Sequence, residues 1–351
     1  MTSSSQSVRE ALFGTSIDFL KHTLEKATES IETRSVKLAD GATVILHELG
    51  LLEFVPSAND NNIKPTKLIL SAGIHGNETA PIEIVSQQIS QIVTGAIEPN
   101  VQVLYILGNP ESMQISERFV SINMNRLFAG AFKNYEVNAD NEYELKRAEQ
   151  LESYVRDFYL KAPNNQRMHL DLHTAIKPSF HKTFAIRPHS DKSINNKSRQ
   201  LLLAMGIEAL LQHNKKSTTF SYFTAAEFDA EAYTLELGRV KAFGENNPKD
   251  FALAIECLDC LVKDNEIRQF NPADLIEYKV VAEIIKNSET FKFNVSDSVE
   301  NFTAFPRGFL MAEDSDYQYK VAFDKEAIVF PNINVPVGQR VAVMVTQINS
   351  D

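Results

Sequence analysis

The stretch Leu68-Ile-Leu-Ser-Ala-Gly-Ile-His75-Gly-Asn-Glu78-Thr-Ala-Pro81 carries the strongest signal in this chain. An apolar run ends at a glycine, a His-x-x-Glu pair follows, and a proline comes next, which suits the first turn of a helix. The pattern predicts a buried strand at 67–71, a helix at 81–94, and a turn between them that carries His75 and Glu78. Ligands in open α/β sheets bind beyond the carboxyl ends of the strands. His75 and Glu78 are therefore candidates for two members of a His/His/Glu catalytic zinc site.

Strand-like and helix-like segments alternate along most of the chain. This alternation predicts an α/β fold in which a mixed central sheet is flanked by helices. Before it, helical spacing at 7–33 is followed by a hairpin signal at Asp40-Gly41 and by a polar loop at 59–62. The further predicted strands are 101–107, 167–172, 183–186 and 232–237, and the further predicted helices are 142–160, 195–205 and 250–263.

Helical periodicity nearly disappears after about residue 270. Short β-rich runs separated by turn residues take its place, which is typical of a small all-β unit. The sequence therefore predicts a catalytic α/β domain at 1–269 and a smaller β-rich domain at 270–351. The predicted strands of this second domain are 279–285, 291–295, 320–322, 327–330 and 340–345.

Composition excludes several classes of protein. The 351 residues are 43% hydrophobic and 23% charged, as in globular proteins with a sizeable core. The net charge of −11 argues against a nucleic-acid partner, and it requires local basic groups wherever an anionic substrate binds. The N-terminus lacks the apolar segment of a signal peptide, and no apolar run is long enough to cross a bilayer. We therefore expect a cytoplasmic protein without a membrane partner.

The two cysteines, Cys257 and Cys260, form a C-x-x-C within an amphipathic helical pattern. No second pair of Cys or His residues lies nearby in the sequence to complete a metal site. We therefore expect reduced cysteines on one face of a helix, with a redox or metal role as the alternative.

A third metal ligand is expected from another strand end, and His169-Leu-Asp-Leu-His173 is the best candidate. Alternate residues of a strand share a face, so His169, Asp171 and His173 project together. His173 comes last, where the strand becomes a loop, and is best placed to reach the crevice. Asp171 would accept a hydrogen bond from the metal-bound imidazole, and His169 is expected in the core. The alternative is that these histidines bind no metal.

Glu236 lies inside the β-rich run Ala232-Tyr-Thr-Leu-Glu236-Leu-Gly238. A buried carboxylate without a partner is unfavourable, so a glutamate here needs a cation or a catalytic role. Glu236 is the candidate general base of a hydrolase. The alternative is a glutamate that faces solvent or pairs with an arginine.

The segment 108–128 follows a predicted strand and contains Arg118, Asn123, Asn125 and Arg126. Arginine recognises carboxylates through paired, directional hydrogen bonds. The segment is therefore a candidate for binding an acidic substrate, and the alternative is an ordinary loop with surface arginines.

Six motifs occur in order along the chain: His75-Gly-Asn-Glu78, Asn109-Pro110, Arg118-Phe119, Asn125-Arg126-Leu-Phe128, Asp171-Leu-His173-Thr and Glu236-Leu-Gly238. Together they resemble the zinc aminoacylase branch of the metallocarboxypeptidase-like hydrolases. Within this branch the chain is most similar to the succinylglutamate desuccinylases, with the aspartoacylases as near relatives. The closing run Val329-Phe-Pro-Asn332 with Val337-Gly338 extends the resemblance over essentially the whole chain.

The resemblance implies a zinc carboxypeptidase-like α/β fold and one Zn²⁺ per chain. It also implies hydrolysis of N2-succinyl-L-glutamate, a small anionic N-acyl-amino acid, to succinate and L-glutamate in the succinyl route of arginine catabolism. The residue roles that it implies are zinc binding by His75, Glu78 and His173, catalysis by Glu236 and Arg118, and binding of a substrate carboxylate by Asn125 and Arg126.

Related functions stay open: an aspartoacylase-like enzyme, another N-acyl-amino-acid deacylase, a zinc carboxypeptidase, or a non-catalytic binding protein on the same fold. Aspartoacylase-like enzymes carry an arginine shortly before the catalytic glutamate, whereas residues 217–234 contain no Arg or Lys. Other groups must therefore hold the amino-acid half of the substrate. The candidates are Thr218, Thr219, Ser221, Lys177, Lys182 and Arg187. The oligomeric state is also open, and a homo-oligomer is compatible with the sequence.

Overall fold

The computed structural model describes residues 5–16, 18–57, 66–161, 165–315 and 317–348. The polar loop predicted at 59–62 lies outside these ranges. The helices are Ser5–Phe13 (α1), Phe19–Glu25 (α2), Thr79–Val93 (α3), Pro110–Gln114 (α4), Glu142–Leu160 (α5), Asn196–Ala204 (α6), Phe220–Phe228 (α7) and Ala252–Lys263 (α8). Short 3-10 helices occur at Gly14–Ser16, Met124–Arg126, Ala131–Asn134, Pro248–Phe251 and Pro272–Asp274.

The strands of the described residues are Arg34–Lys37 (β1), Thr43–Glu48 (β2), Leu51–Val55 (β3), Thr66–Ala72 (β4), Gln102–Leu107 (β5), Gln166–Ala175 (β6), Phe184–Arg187 (β7), Ala209–Gln212 (β8), Glu231–Arg239 (β9), Ile276–Ile285 (β10), Lys292–Phe293 (β11), Thr303–Phe305 (β12), Leu310–Asp314 (β13), Tyr317–Lys320 (β14), Glu326–Val329 (β15) and Arg340–Gln347 (β16).

One mixed sheet of 13 strands runs through the described part of the chain, in the order β1-β2-β3-β5-β4-β6-β9-β7-β8-β10-β16-β15-β12. Its centre, β5-β4-β6-β9, is parallel. The carboxyl ends of these four strands therefore meet at one edge of the sheet, and the segments that follow them come together there.

Helices cover both faces of this centre, as the alternating side chains of β4 show. Leu68 and Leu70 pack in a buried cluster with residues of α3, α6 and α8, while Ile69 packs in a second cluster with residues of α5 and α7. Full burial of such a side chain contributes about 1.5–3 kcal/mol. Because both faces of β4 are buried, its sequence is a continuous apolar run rather than an alternating one.

The strand register brings candidate site residues into neighbouring positions. Asp171 in β6 lies opposite Ser71 in β4, and His173 in β6 lies opposite Glu236 in β9. The predicted third ligand and the predicted base are thus direct neighbours across a strand pair.

The C-terminal region continues the large sheet and adds a smaller one. Strand β10 pairs in parallel with β8 and antiparallel with β16, and β11, β13 and β14 form a separate three-stranded sheet. The adjacent residues Val343 and Met344 of β16 pack into two different apolar clusters. The predicted α/β fold, with a mixed helix-flanked sheet and a smaller β-rich C-terminal part, is confirmed. The boundary between residues 269 and 270 stays a prediction.

Some local predictions are wrong. Helix α2 ends at Glu25, so the helix predicted over 26–33 is absent from that stretch. The stretch contains Thr28, Ser30 and Thr33, residue types of low helix propensity. Strand β14 occupies Tyr317–Lys320 rather than 320–322. The prediction lacks β12 and β13, and it lacks α7, whose apolar residues show no helical periodicity, and β8, which has only 4 residues.

Two further predictions concern the cysteines and possible membrane spans. Cys257 and Cys260 lie on α8 as free thiols, and Cys257 is buried, as predicted for cysteines on a helix face. Among the described residues, none of the helices combines the length and the apolarity needed to span a membrane.

Candidate active site

The turn after β4 brings His75 and Glu78 to the edge of the sheet. Glu78 precedes the first residue of α3, but its side chain makes no capping hydrogen bond to that helix. Its Oε1 lies 2.8 Å from His75 Nδ1 instead, and both side chains are buried. The carboxylate therefore faces the imidazole rather than its own helix.

His173 completes a group of three. Its Nδ1 lies 2.8 Å from Glu78 Oε2, and the rings of His75 and His173 meet edge to face with centroids 5.0 Å apart. One ligand atom from each of His75, Glu78 and His173 lies within 4.8 Å of the others. The structure thus brings together the three residues that the sequence predicts as metal ligands.

The outer nitrogens of both rings are held in place. His173 Nε2 lies 3.0 Å from Asp171 Oδ2, and the other oxygen of Asp171 accepts a hydrogen bond from Ser71 Oγ at 2.6 Å. His75 Nε2 lies 3.0 Å from Asn123 Oδ1. Each ring therefore directs Nδ1 toward Glu78, as a metal site requires of its histidines.

The charges of His75, Glu78 and His173 shift one another's pKa values. Burial opposes a charge on His173, but Asp171 and Glu78 outweigh it and raise the pKa of His173 well above its usual value. Burial and the nearby Arg118 lower the pKa of His75 to about 4. Although burial opposes its charge, Glu78 has a pKa well below the usual range because His75 and His173 stabilise the carboxylate.

The donor set fits a zinc ion. His75 Nδ1 is buried and makes no hydrogen bond, because its short contact with Glu78 lacks hydrogen-bond geometry. Two imidazole nitrogens and one carboxylate are a common protein ligand set of catalytic zinc sites. A cation at this position would satisfy the unpartnered nitrogen. We therefore regard His75, Glu78 and His173 as able to hold the metal.

Glu236 is buried beside this group rather than facing solvent. Its Oε2 makes no hydrogen bond. Burial, together with the negative charge of Glu78, raises the pKa of Glu236 to about 7. A carboxylate with such a pKa is suited to accept and return a proton near neutral pH.

Arg118 reaches the same site from the loop after α4. Its Nη1 donates a hydrogen bond to Glu78 Oε1 at 2.6 Å, and its side chain is half-buried. Its carbonyl oxygen accepts a hydrogen bond from the Gly76 amide at 3.3 Å, which joins this loop to the His75–Glu78 turn.

Asn125 and Arg126 lie further along the loop. Asn125 is buried, and its Oδ1 accepts a hydrogen bond from the Phe220 amide at 3.0 Å, so α7 fixes its orientation. Arg126 is exposed, yet protein atoms surround its guanidinium, and this burial, with Arg340 and Arg118, lowers its pKa to about 9.

Several other polar candidates have structural contacts. Thr219 caps the start of α7 by accepting a hydrogen bond from the Tyr222 amide, and Ser221 Oγ lies 2.7 Å from Thr234 Oγ1. His169 lies in the core between the hydroxyls of Ser71 and Thr224, as predicted. The Thr218 carbonyl oxygen accepts a hydrogen bond from the Phe128 amide. Lys177 and Arg187 donate hydrogen bonds to the carbonyl oxygens of Asp297 and Lys192, respectively. The last candidate, Lys182, is exposed.

Asn123 is a functional candidate that sequence reasoning groups with the carboxylate-binding loop. The structure places it against His75 instead. The sequence signals a role for Asn123 only by placing it between Arg118 and Asn125. It cannot predict the contact with His75, because the two residues are 48 positions apart.

Comparison with known proteins decides the family. Residues 64–259 match the family model described as the succinylglutamate desuccinylase/aspartoacylase catalytic domain. The chain belongs to this family. Residues 273–348 match a second model, the AstE/AspA barrel-sandwich hybrid domain. The resemblance inferred from the motifs is thus confirmed.

Relatives within the family match almost the full length. A succinylglutamate desuccinylase of Shewanella denitrificans is 39% identical over 327 residues, which cover 92% of this chain and 93% of that protein. Solved structures of succinylglutamate desuccinylases include that of Vibrio parahaemolyticus (TM-score 0.85, 36% identity, 96% of both chains). Another is that of Vibrio cholerae (TM-score 0.86, 33% identity, 97% of this chain and 96% of that chain). Murine aminoacylase 3, at 17% identity and a TM-score of 0.55, shares the fold over 81% of this chain and 96% of its own.

A substitution at Gly76 tests how tightly the His75–Glu78 turn packs against α4. A Cβ on Gly76 would lie 2.2 Å from the carbonyl carbon of Ser112 and 2.3 Å from the Met113 nitrogen, both backbone atoms of α4. We expect Gly76→Ala to lower the free energy of unfolding by about 1–3 kcal/mol because backbone atoms must move. Urea unfolding followed by circular dichroism measures the change.

Gly108→Ala is the matched control, since its Cβ would meet mainly the end of the Ile74 side chain at 2.4 Å rather than backbone atoms. We expect a smaller loss for this variant. A Gly76→Ala protein as stable as the wild type would contradict the close packing of the turn on α4.

Proposed function

We propose that this protein is a zinc-dependent amide hydrolase that converts N2-succinyl-L-glutamate to succinate and L-glutamate. The observation that carries the proposal is the meeting of His75, Glu78 and His173 beside the buried carboxylate of Glu236, whose Oε2 has no hydrogen-bond partner. Full-length similarity to proteins named succinylglutamate desuccinylase supports this substrate. Residues His75, Glu78 and His173 would hold one zinc ion per chain.

Zinc, when bound, supplies Lewis acidity and lowers the pKa of water to about 7. Glu236 would accept a proton from the attacking water as the water oxygen bonds to the succinyl carbonyl carbon. As the carbon–nitrogen bond breaks, Glu236 would return that proton to the leaving nitrogen of glutamate, so that glutamate departs with a neutral amine. Burial favours the uptake of the proton, because desolvation raises the pKa of the Glu236 carboxyl.

Arg118 would stabilise the negative charge that develops on the carbonyl oxygen. Its guanidinium already lies at the site, bonded to Glu78. If Glu78 instead binds a cation, the Arg118 donors become available to substrate. A well-aimed donor of this kind contributes about 3–4 kcal/mol to transition-state stabilisation.

Asn125 and Arg126 would bind a carboxylate of the substrate. Arg340 and Arg118 are the charged groups that act most strongly on Arg126. Glu283 accepts hydrogen bonds from Arg340 at 3.0 Å and from Lys215 at 3.2 Å. The cationic side chains around Arg126 therefore outnumber the single carboxylate of Glu283. In a chain with a net charge of −11, this local excess of positive charge suits a substrate with several carboxylates.

The proposal includes a small anionic N-acyl-amino acid as the partner, with neither nucleic acid nor a membrane. It also includes a cytoplasmic location and a place in the succinyl route of arginine catabolism. These parts rest on the sequence and on the family, since the geometry of the site concerns only the reaction.

Succinate release tests the function directly. We expect the zinc-loaded protein to release succinate from N2-succinyl-L-glutamate, to lose this activity with a chelator, and to regain it when zinc is added back. N-acetyl-L-aspartate and a peptide with a free C-terminus serve as parallel substrates. Preference for either would favour an aspartoacylase-like enzyme or a carboxypeptidase, and no hydrolysis of any of them would favour a binding protein.

Arg126→Ala tests carboxylate recognition. We expect kcat/KM for N2-succinyl-L-glutamate to fall about 10- to 100-fold, because a charge-assisted contact to the distal carboxylate is lost. The loss for N2-acetyl-L-glutamate, which lacks that carboxylate, should be much smaller. Lys133→Ala, which removes an exposed cation from the following segment, is the control. Equal losses for both substrates would argue against this role of Arg126.

A further inference from the structure

Glu144 lies in the first turn of α5 and is fully buried. It is not part of the candidate metal group formed by His75, Glu78 and His173. Its Oε1 accepts hydrogen bonds from Asn109 Nδ2 at 3.0 Å and from the Val120 amide at 2.8 Å. Its Oε2 accepts from the amides of Ser121 at 2.9 Å and Ile122 at 2.6 Å, and from Ser121 Oγ at 3.2 Å. One buried carboxylate thus collects five donors.

Three of these donors are consecutive backbone amides of a segment that has no regular structure of its own. Helix α4 ends at Gln114, and the next 3-10 helix begins at Met124. Phe119 and Val120 in this segment are 37% and 40% exposed, so little apolar packing restrains them. The bonds to Glu144 are charge-assisted and hold the segment from its buried side.

The segment lies between two residues of the active site. Arg118, two positions before Val120, donates to the candidate metal ligand Glu78. Asn123, directly after Ile122, contacts Nε2 of the candidate metal ligand His75 at 3.0 Å. A displacement of the backbone at 120–122 therefore moves both contacts at once.

We propose that Glu144 is the positioning residue that holds Arg118 and Asn123 in register with the metal group, so that its carboxylate governs turnover through these two residues. The inference rests on the proposed hydrolysis for its kinetic part only. The anchoring of 120–122 is independent of any substrate.

Glu144→Gln tests this with almost no change in shape. The amide group replaces one acceptor oxygen by an NH2 donor, which must face either the two donors at Oε1 or the three donors at Oε2. At least two hydrogen bonds are lost in either orientation. Asn125 has a separate restraint, the Phe220 amide, so carboxylate binding should suffer less than catalysis.

Hydrogen exchange and kinetics are measured on the zinc-loaded full chain of the wild type and the variants. For Glu144→Gln we expect exchange at 120–122 to be about tenfold faster or more, with α5 unchanged, because the donors lose their acceptor. We expect kcat to fall about 10- to 100-fold while KM changes by less than about threefold, since Arg118 acts mainly in the transition state. Glu144→Asp, which keeps the charge, should restore part of both quantities.

Glu142→Gln is the matched control, because Glu142 starts the same helix but is exposed and pairs with Lys146 at 2.7 Å. It should change neither exchange nor kcat.

Unchanged exchange at 120–122 in Glu144→Gln would overturn the anchoring, and faster exchange with normal kcat would overturn the link to turnover. If the Gln variant unfolds, exchange rises throughout α5, and Glu144→Asp, which keeps the charge but shortens the side chain, replaces it with a smaller change of the same kind in exchange at 120–122 and in kcat. A wild type inactive on succinylglutamate would refute the proposed function, while the exchange result would still decide the anchoring.

Discussion

The site depends on the parallel pairing of β4 with β6 and of β6 with β9. Parallel strands end at the same edge of a sheet, so the turn after β4, the end of β6 and the end of β9 must meet. The register then sets Glu236 opposite His173, and α3 starts where it can present Glu78 to both histidines. The apolar runs that bury these strands are therefore also what brings His75, Glu78 and His173 together.

This convergence concentrates negative charge in a buried place. Glu78, Asp171 and Glu236 all lie there, and His173 with Arg118 compensates only part of the charge, because burial lowers the pKa of His75 to about 4. Burial and the proximity of Glu78 leave Glu236 with a pKa of about 7. A divalent cation would relieve this excess, so the same strand geometry that gathers the carboxylates also favours metal binding. Arg118, bonded to Glu78, stands beside the position that such a cation would take.

Sequence patterns predict much of this, but only where the signal is local. The strand–turn–helix around His75 is marked by an apolar run, a glycine and a proline, and the helix Glu142–Leu160 by its helical spacing of apolar residues. Alternation in β6 predicts that Asp171 and His173 share a face. Helix α7 escapes prediction because its apolar residues show no helical periodicity. The contacts of Asn123 and Glu144 escape it too, because their partners lie 48 and 22 to 35 positions away and no spacing rule connects such residues.

The central claim is that three side chains bind one zinc and a fourth moves the proton. Zinc content by mass spectrometry, measured with succinate release on the same samples, tests it most directly. The account predicts one zinc per chain in the wild type and in Glu236→Gln, with turnover lost in Glu236→Gln, and no zinc in His173→Ala. His169→Gln, four residues earlier on the same strand, should keep its zinc. Full zinc occupancy in His173→Ala, or near-normal turnover in Glu236→Gln, would contradict the account.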